Sequence, residues 1–388
     1  MNIAILCACA EPGRDGVGDY SARLAAALVA LGHRALLIAE RDFAVADAQI
    51  VNIERDGVPV LRLSARLPAD QRGIALGAAL GDFAPDWVIL QFVCWGLADR
   101  GVLDPLPTAL IDALAGRRVA VYCHELWLGL ERGAPLRHRL WGWRQRRSIL
   151  RFFSRLQPML VMTSNAAYRG VLERFGWNAR IVPLFSNIPF HVGARARFLS
   201  LLEQRAGRPP WNARTDVVMV AVFGSIYPEW QPQPALQWIG NEARRRNRGV
   251  LLVIAGRLSA RGEALIGQLA REAGVAMTIQ VLGEVAPDIV SGLLQEADVG
   301  LPSSDWLLLG KSGVVAAMTA HGLPMLVIRH GVSFRDLPYL AVTHAPPIFR
   351  FDIESPPSDF DRLLAPARAA DTLPEITRQL VGALEDAH

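Results

Sequence analysis

Lysine is almost missing from this chain: Lys311 is its one lysine, and arginine supplies the rest of its 41 basic residues. We attribute the bias to GC-rich coding, which turns most positions that accept either cation into arginine. A surviving lysine is then either a chance remnant or a place where a compact, flexible ammonium serves and a planar guanidinium does not. Cysteine is scarce too. Cys7, Cys9, Cys94 and Cys123 lie in apolar stretches without Cys-x-x-Cys or metal-ligand spacing, which excludes a disulfide framework or a zinc module and points to buried thiols in a reducing compartment. No apolar run approaches the roughly 20 residues that span a bilayer. Residues 1–10 are apolar but lack a basic n-region and run into Glu11 and Pro12, as a first strand does and a signal peptide does not. The expected location is the cytoplasm, with peripheral contact at the inner face of the membrane left open by one basic segment.

A strong charge of either sign is also lacking. The 41 basic and 37 acidic residues leave a formal +4, too mild a balance to mark a nucleic-acid binder. With 388 residues, 51% of them apolar, the chain is globular and long enough for two domains, each with its own core.

Short β-type runs alternate with helix-period runs. Strands are expected at residues 3–8, 35–38, 87–91, 118–123 and 159–163, with a helical stretch between each pair, the first at 17–31. The rhythm stops between Ser186 and Arg214, where Pro189, Pro209 and Pro210 act as breakers. It restarts at 217–223 and repeats at 250–255, 278–282, 299–302 and 325–328. This is parallel α/β patterning in two Rossmann-like halves. The expected division is an N-terminal domain at 1–188, a connection containing a helix at 189–215, a second domain at 216–350, and a tail at 351–388. The tail's helix, at 374–387, is expected to pack back on one of the halves.

Three junctions could carry chemistry. The first βα loop, Glu11-Pro-Gly-Arg-Asp-Gly-Val-Gly-Asp-Tyr-Ser21, opens a helix, and glycine backbone with a helix start suits an anion such as a diphosphate. A plain tight turn explains it as well. It is no dinucleotide fingerprint, because Ser21 stands where the third glycine should be. His124 ends the run 119–123 at the carboxyl edge of a parallel sheet, where open α/β folds place ligands; it is either a ligand for a substrate hydroxyl or a strand cap. In the second half, Gly310-Lys-Ser-Gly313 precedes a helix expected to start near Ser312, and a helix start with an ammonium forms an anion site. Walker A is excluded, because Asp305 occupies its first glycine and the loop follows a late strand.

Residues 132–155 hold eight arginines and no acid, interleaved with Trp141, Trp143, Phe152 and Phe153. Leu136, Leu140, Trp143, Ile149, Leu150 and Phe153 are expected on one helical face, with Arg144, Arg146 and Arg147 elsewhere, as in a helix lying on anionic lipid. A solvated arginine face over a core helix, or a site for an anionic acceptor, are the other readings.

Taken in order, Gly16-Val-Gly-Asp-Tyr-Ser21, Leu31-Gly-His33, His124, Thr163-Ser-Asn165, Val182-Pro-Leu-Phe-Ser-Asn187, Ala297-Asp298 to Pro302-Ser303, and Ala317-Met318-x-x-x-Gly-Leu-Pro324 resemble glycosyltransferase family 4, across about residues 1–330. The resemblance implies the GT-B fold, two Rossmann-like domains facing across a cleft. It implies a hexosyltransferase, retaining rather than inverting, that uses no cofactor or metal. The donor would be a nucleotide sugar, and the acceptor a glycan, a lipid-linked molecule or a small molecule. His124 would touch the donor sugar or the acceptor hydroxyl, and Asp19 would be the general base if the reaction inverted. The donor phosphates would meet Gly16, Gly18, Ser225, Lys311, Ser312 and Gly313. The one Asp-x-Asp, Asp359-Phe-Asp361, lies in the loop-rich tail. The chain also departs from the family. Leu308 and Ala316 replace its paired glutamates, and Ser225 and Trp230 stand near its usual Arg and Lys. A catalytically silent binding or scaffold protein, a sugar-nucleotide epimerase and a pseudo-glycosyltransferase are therefore the alternatives.

Overall fold

The computed structural model describes the chain except residues 207–215, 228, 273–276, 336, 338–339, 346 and 388. Two compact units form: Met1–Asn187 with Ser333–Leu340 and Leu373–His388, and Ile188–Val332 with Ala341–Thr372. Pro209 and Pro210, expected as breakers, lie outside the described residues.

The first unit runs β1 (Asn2–Cys7), α1 (Gly16–Ala30), β2 (Arg34–Asp42), β3 (Ile50–Arg55), β4 (Val58–Ser64), α2 (Ala69–Phe83), β5 (Trp87–Phe92), α3 (Cys94–Leu97), α4 (Thr108–Leu114), β6 (Val119–Cys123), α5 (Leu136–Leu156), β7 (Leu160–Thr163), α6 (Ala166–Arg174) and β8 (Ala179–Ile181). Its sheet has the order β3-β4-β2-β1-β5-β6-β7-β8, parallel except for the β3–β4 pair. Between β2 and β5 the expected single helix is joined by the β3–β4 hairpin. Its turn, Asp56-Gly57, has φ of 52° and 74°, the double left-handed geometry that Asp-Gly favours in two-residue hairpins. That dipeptide was the available signal.

The second unit runs α7 (Ala194–Ala206), β9 (Val217–Phe223), α8 (Gln233–Arg245), β10 (Gly249–Ala255), α9 (Ala260–Glu272), β11 (Met277–Gly283), α10 (Pro287–Glu296), β12 (Val299–Gly300), α11 (Gly313–Ala320), β13 (Met325–Val327), β14 (Ile348–Arg350) and α12 (Phe360–Leu363). Its sheet order is β11-β10-β9-β12-β13-β14, parallel at every pairing. Strand alternation divides its core. Val217, Met219 and Ala221 of β9 face α10 and α11 residues, whereas Val218, Val220 and Val222 face the α8 side, as a period of two requires. The stretch expected as an interdomain connection contains α7, a member of the second unit. α7 lies so close to α10 that a Cβ on Gly292 would sit 2.3 Å from the Ala194 carbonyl oxygen.

The last helix, α13 (Leu373–Glu385), belongs to the first unit. Its Ile376, Leu380 and Leu384 join Tyr20, Leu24 and Leu28 of α1 in one core with β1 residues Ile3 and Ile5.

Helix α5 corrects a second expectation. Ile149 and Phe153 are fully buried, but Leu136, Leu140 and Trp143 are 64%, 62% and 53% exposed. At about 100° per residue these three fall on the side of the helix opposite the buried Gln145, Ile149 and Phe152. The helix therefore has two apolar stripes where one was expected. Its core stripe approaches the preceding loop through Gly142, where a Cβ would meet the Leu128 carbonyl oxygen at 1.7 Å.

Gly142→Ala is accordingly expected to cost about 1–3 kcal/mol, the scale of overpacking. Gly240→Ala in α8, where a Cβ meets nothing within 4 Å, is expected to stabilise by about 0.5–1 kcal/mol. Urea midpoints of the two variants move in opposite directions if close approach, rather than helix propensity, dictates Gly142.

Candidate functional site

The carboxyl edge of the first sheet is organised around Asp42, the last residue of β2. Its side chain is fully buried and accepts hydrogen bonds from Arg62 Nε at 2.7 Å, Ala10 N at 3.1 Å, Ala44 N at 2.9 Å and Cys9 Sγ at 3.2 Å. Burial alone would raise this carboxyl's pKa, but the bonds from Arg62 and the backbone hold it below the usual carboxylate range. Arg62 also meets Glu11 at 2.6 Å. The β1–α1 loop is thus tied at Cys9, Ala10 and Glu11 to β2 and β4. Sequence reasoning missed Asp42; its signal was an acid closing a largely apolar strand.

Within that loop the glycines divide. Gly18 is dictated by packing, since a Cβ there would sit 2.1 Å from the Cys9 carbonyl oxygen, while a Cβ on Gly16 meets nothing within 4 Å. Asp15 caps α1 by accepting from Val17 N, and Asn187 Nδ2 donates to the Gly16 carbonyl at 2.9 Å. Asp19, named above as a potential base, accepts from Gly13 N at 3.2 and 3.1 Å and faces Arg55 at 3.8 Å. This geometry fastens the loop.

His124 follows β6. The Tyr20 ring of α1 meets it edge-on at 5.2 Å and Tyr122 lies at 4.7 Å, while Phe185 stacks on Tyr20 at 4.1 Å. Residues from three of the recognised sequence blocks therefore converge. His124 Nε2 lies 2.6 Å from Gln91 Oε1. That oxygen only accepts, so Nε2 carries the proton and Nδ1 presents a lone pair. Burial pushes the imidazole pKa down to about 3, which makes His124 a neutral hydrogen-bond acceptor and a poor proton acceptor. Thr163 and Asn165 have structural duties: Thr163 Oγ1 donates to the Cys123 carbonyl and Asn165 caps α6.

At the carboxyl edge of the second sheet, neighbouring hydroxyls join two loops. Ser303 Oγ donates to the Ser225 carbonyl at 2.6 Å and Ser304 Oγ to Ser312 Oγ at 2.8 Å. Ser312 is the N-cap of α11, accepting from Val315 N. Lys311 ends a 3-10 segment, Trp306–Lys311, so it precedes the helix start by two residues. Leu308 lies in that segment and Ala316 in α11. The nearby acid, Asp305, does not replace the missing glutamates, because it is buried and accepts from Leu307 N and Val332 N. The structure adds a cation that sequence reasoning missed. Arg329 follows β13, donates from Nη1 to the Ser303 carbonyl at 3.0 Å, lies 3.6 Å from Glu229 and stands 5.1 Å over the Tyr227 ring. Its signal was a charge directly after the apolar run Leu323–Ile328.

Two further groups have structural roles. His321 Nε2 meets Ser291 Oγ at 2.8 Å, but Ser291 is wholly buried, so the pair ties α10 to α11. Asp359 caps α12 and Asp361 pairs with Arg246.

A scan against protein-family models and a search of curated proteins find no match. Solved structures do match. Anabaena HepE in complex with UDP and glucose has a TM-score of 0.61 at 16% identity over 100% of both chains. The catalytic domain of Arabidopsis thaliana starch synthase IV, bound to ADP and acarbose, has 0.56 at 12% over 100% of this chain and 99% of that one. UDP-GlcNAc 2-epimerase from Neisseria meningitidis, bound to UDP-GlcNAc, has 0.51 at 11% over 100% of both. The fold is the two-unit, parallel-sheet α/β architecture of GT-B proteins. Likeness at these identities establishes fold.

His124 yields a test independent of activity. Its pKa in the folded chain lies below the unfolded value near 6.5, so between about pH 6.5 and 3 the unfolded chain binds a proton that the folded one does not. Stability is full above that window and falls as pH drops through it. Urea unfolding between pH 7 and 5 is expected to show a steeper loss for the wild type than for His124→Gln; parallel losses would mean that the imidazole titrates normally.

Proposed function

We propose that this chain is a glycosyltransferase that moves a sugar from a nucleoside-diphosphate donor to a glycan, lipid-linked or small-molecule acceptor. The observation that carries the reading is His124: a neutral imidazole at a sheet's carboxyl edge, its Nδ1 left as an acceptor by Gln91, in a fold shared with a protein solved in complex with UDP and glucose. A lone pair fixed in that way orients a substrate hydroxyl. With so low a pKa, His124 acts by position and hydrogen bonding, and proton removal falls to the leaving phosphate or to another group.

The diphosphate that departs needs positive charge at its oxygens. In this reading Lys311, Arg329 and the backbone amides at Gly313 supply it in the second unit, with Ser225 and Ser312 holding the loops on which they stand. Gly16, whose Cα faces open space, leaves room for a ligand in the first unit. Retention of configuration is the family expectation carried into this proposal; in it Asp19, which accepts from Gly13 N, fastens the loop. A second reading, a catalytically silent binding protein, is favoured by the missing carboxylates at Leu308 and Ala316; tight, saturable nucleotide-sugar binding without turnover on any acceptor would support it.

Calorimetry with UDP, ADP and GDP is expected to find saturable binding of at least one. Lys311→Ala and Arg329→Gln are each expected to weaken it by about 1.5–3 kcal/mol, the worth of a charge-assisted hydrogen bond. Unchanged affinity removes that residue from the site. Once an acceptor is found, His124→Ala is expected to lower turnover by about 10²-fold or more with nucleotide affinity retained. A destabilised but fully active variant would make His124 a strand cap.

A further inference from the structure

Helix α5 carries an apolar stripe that no described residue of the first unit covers. Leu136, Leu140 and Trp143 stand one turn apart on the side away from the core and are each more than half exposed. Advancing about 100° per residue, Arg137, Arg144, Arg151 and Arg155 border this stripe on one side and Arg139 and Arg146 on the other. No acid occurs between Arg132 and Arg155. The guanidiniums lie over aromatic rings instead, Arg144 over Trp141 at 5.4 Å, Arg147 over Trp143 at 5.9 Å and Arg146 over Phe175 at 4.8 Å. Trp141 itself is fastened to the unit, donating from Nε1 to the Arg100 carbonyl at 3.0 Å. A recess of about 280 Å³ beside the stripe is lined by Leu136, Leu140, Trp143, Arg139, Arg146 and Arg335, among others.

We propose that this outward face of α5 docks on an anionic lipid membrane, with Leu136, Leu140 and Trp143 entering the headgroup boundary and the two arginine rows meeting lipid phosphates. Charge complementarity selects the occupant. An apolar ridge flanked on both sides by cations needs a partner that is hydrocarbon in the middle and anionic all around, and an anionic leaflet offers both without any particular alignment. A tryptophan at the ridge suits the interface, where an amphipathic ring has apolar and wet surroundings together. Among the described residues no helix is long and apolar enough to cross a membrane, so the contact is in-plane. The opposite stripe, Ile149 with Phe152 and Phe153, is buried and anchors the helix to its unit, so docking requires no unfolding.

The test is co-sedimentation of the full chain with vesicles of mixed phosphatidylglycerol and phosphatidylcholine, and with vesicles of phosphatidylcholine alone. Binding is expected on the mixed vesicles, far weaker on the neutral ones, and lost between about 0.1 and 1 M salt as screening shortens from about 10 to 3 Å. The triple variant Arg144→Gln, Arg146→Gln, Arg147→Gln is expected to partition on the order of 10²-fold more weakly. Leu140→Ser with Trp143→Ala, which leaves the charge intact, is expected to weaken it as well. Both variants change outward-facing positions, and unfolding midpoints equal to the wild type establish that they fold. No binding to mixed vesicles, equal binding to neutral ones, or wild-type binding by both folded variants overturns the proposal. So does a dimer that both variants dissolve without any vesicle binding, which would assign the face to a second copy of the chain.

Discussion

A single buried carboxylate fixes the edge of the first unit. Asp42 is withdrawn from water at the end of β2, a costly place for a charge unless it is paired and hydrogen-bonded. Four donors, two of them backbone amides, a thiol and a guanidinium, answer that cost. In doing so they set the course of the β1–α1 loop, and Gly18 then lets α1 start against the Cys9 carbonyl. The direction of α1 places Tyr20, Tyr20 stacks with Phe185, and the two rings with Tyr122 bound the space in which His124 sits. The course of the loop is thus set by bonds within its own unit.

The second unit solves a different problem. Leu308 and Ala316 bring no carboxylates to its edge, and the bonds that join its loops come from serine hydroxyls and the Arg329 guanidinium. Adjacent serines, Ser303 and Ser304, reach to the loop after β9 and to the start of α11 respectively, so one short loop holds both neighbours. Arg329 closes the same set by binding the Ser303 carbonyl. The result is an edge on which Ser303, Ser304 and Arg329 tie the neighbouring loops together, with Glu229 paired to Arg329 and Asp305 bound to backbone amides.

Helix α5 carries apolar side chains on two opposed faces, one buried and one exposed. A 3.6-residue period places every residue on some face, and this sequence fills two opposed faces with apolar side chains and the flanks with arginine. Gly142 and Gly129 allow the near approach of the preceding loop, which fixes which stripe is turned inward.

Much was legible in the sequence. Runs such as Val217–Phe223 are buried on both faces and so read as strands without a partner in view, and the alternation with helices pointed to two sheets, which are parallel except at the β3–β4 hairpin. The role of His124 as an edge residue was legible for the same reason: a strand end is a local property. Tertiary structure alone decided the rest. Whether Leu136 or Ile149 faces the core depends on which loop abuts α5, and periodicity gives the spacing of a stripe without its direction. Asp19 and Asp42 are both acids near the first loop, yet one ties Gly13 and the other holds two strands, since hydrogen-bond partners up to 33 residues apart are chosen by the folded backbone. Arg329 meets Ser303 because β12 and β13 are neighbours in the sheet, a pairing that only the completed strand order brings about.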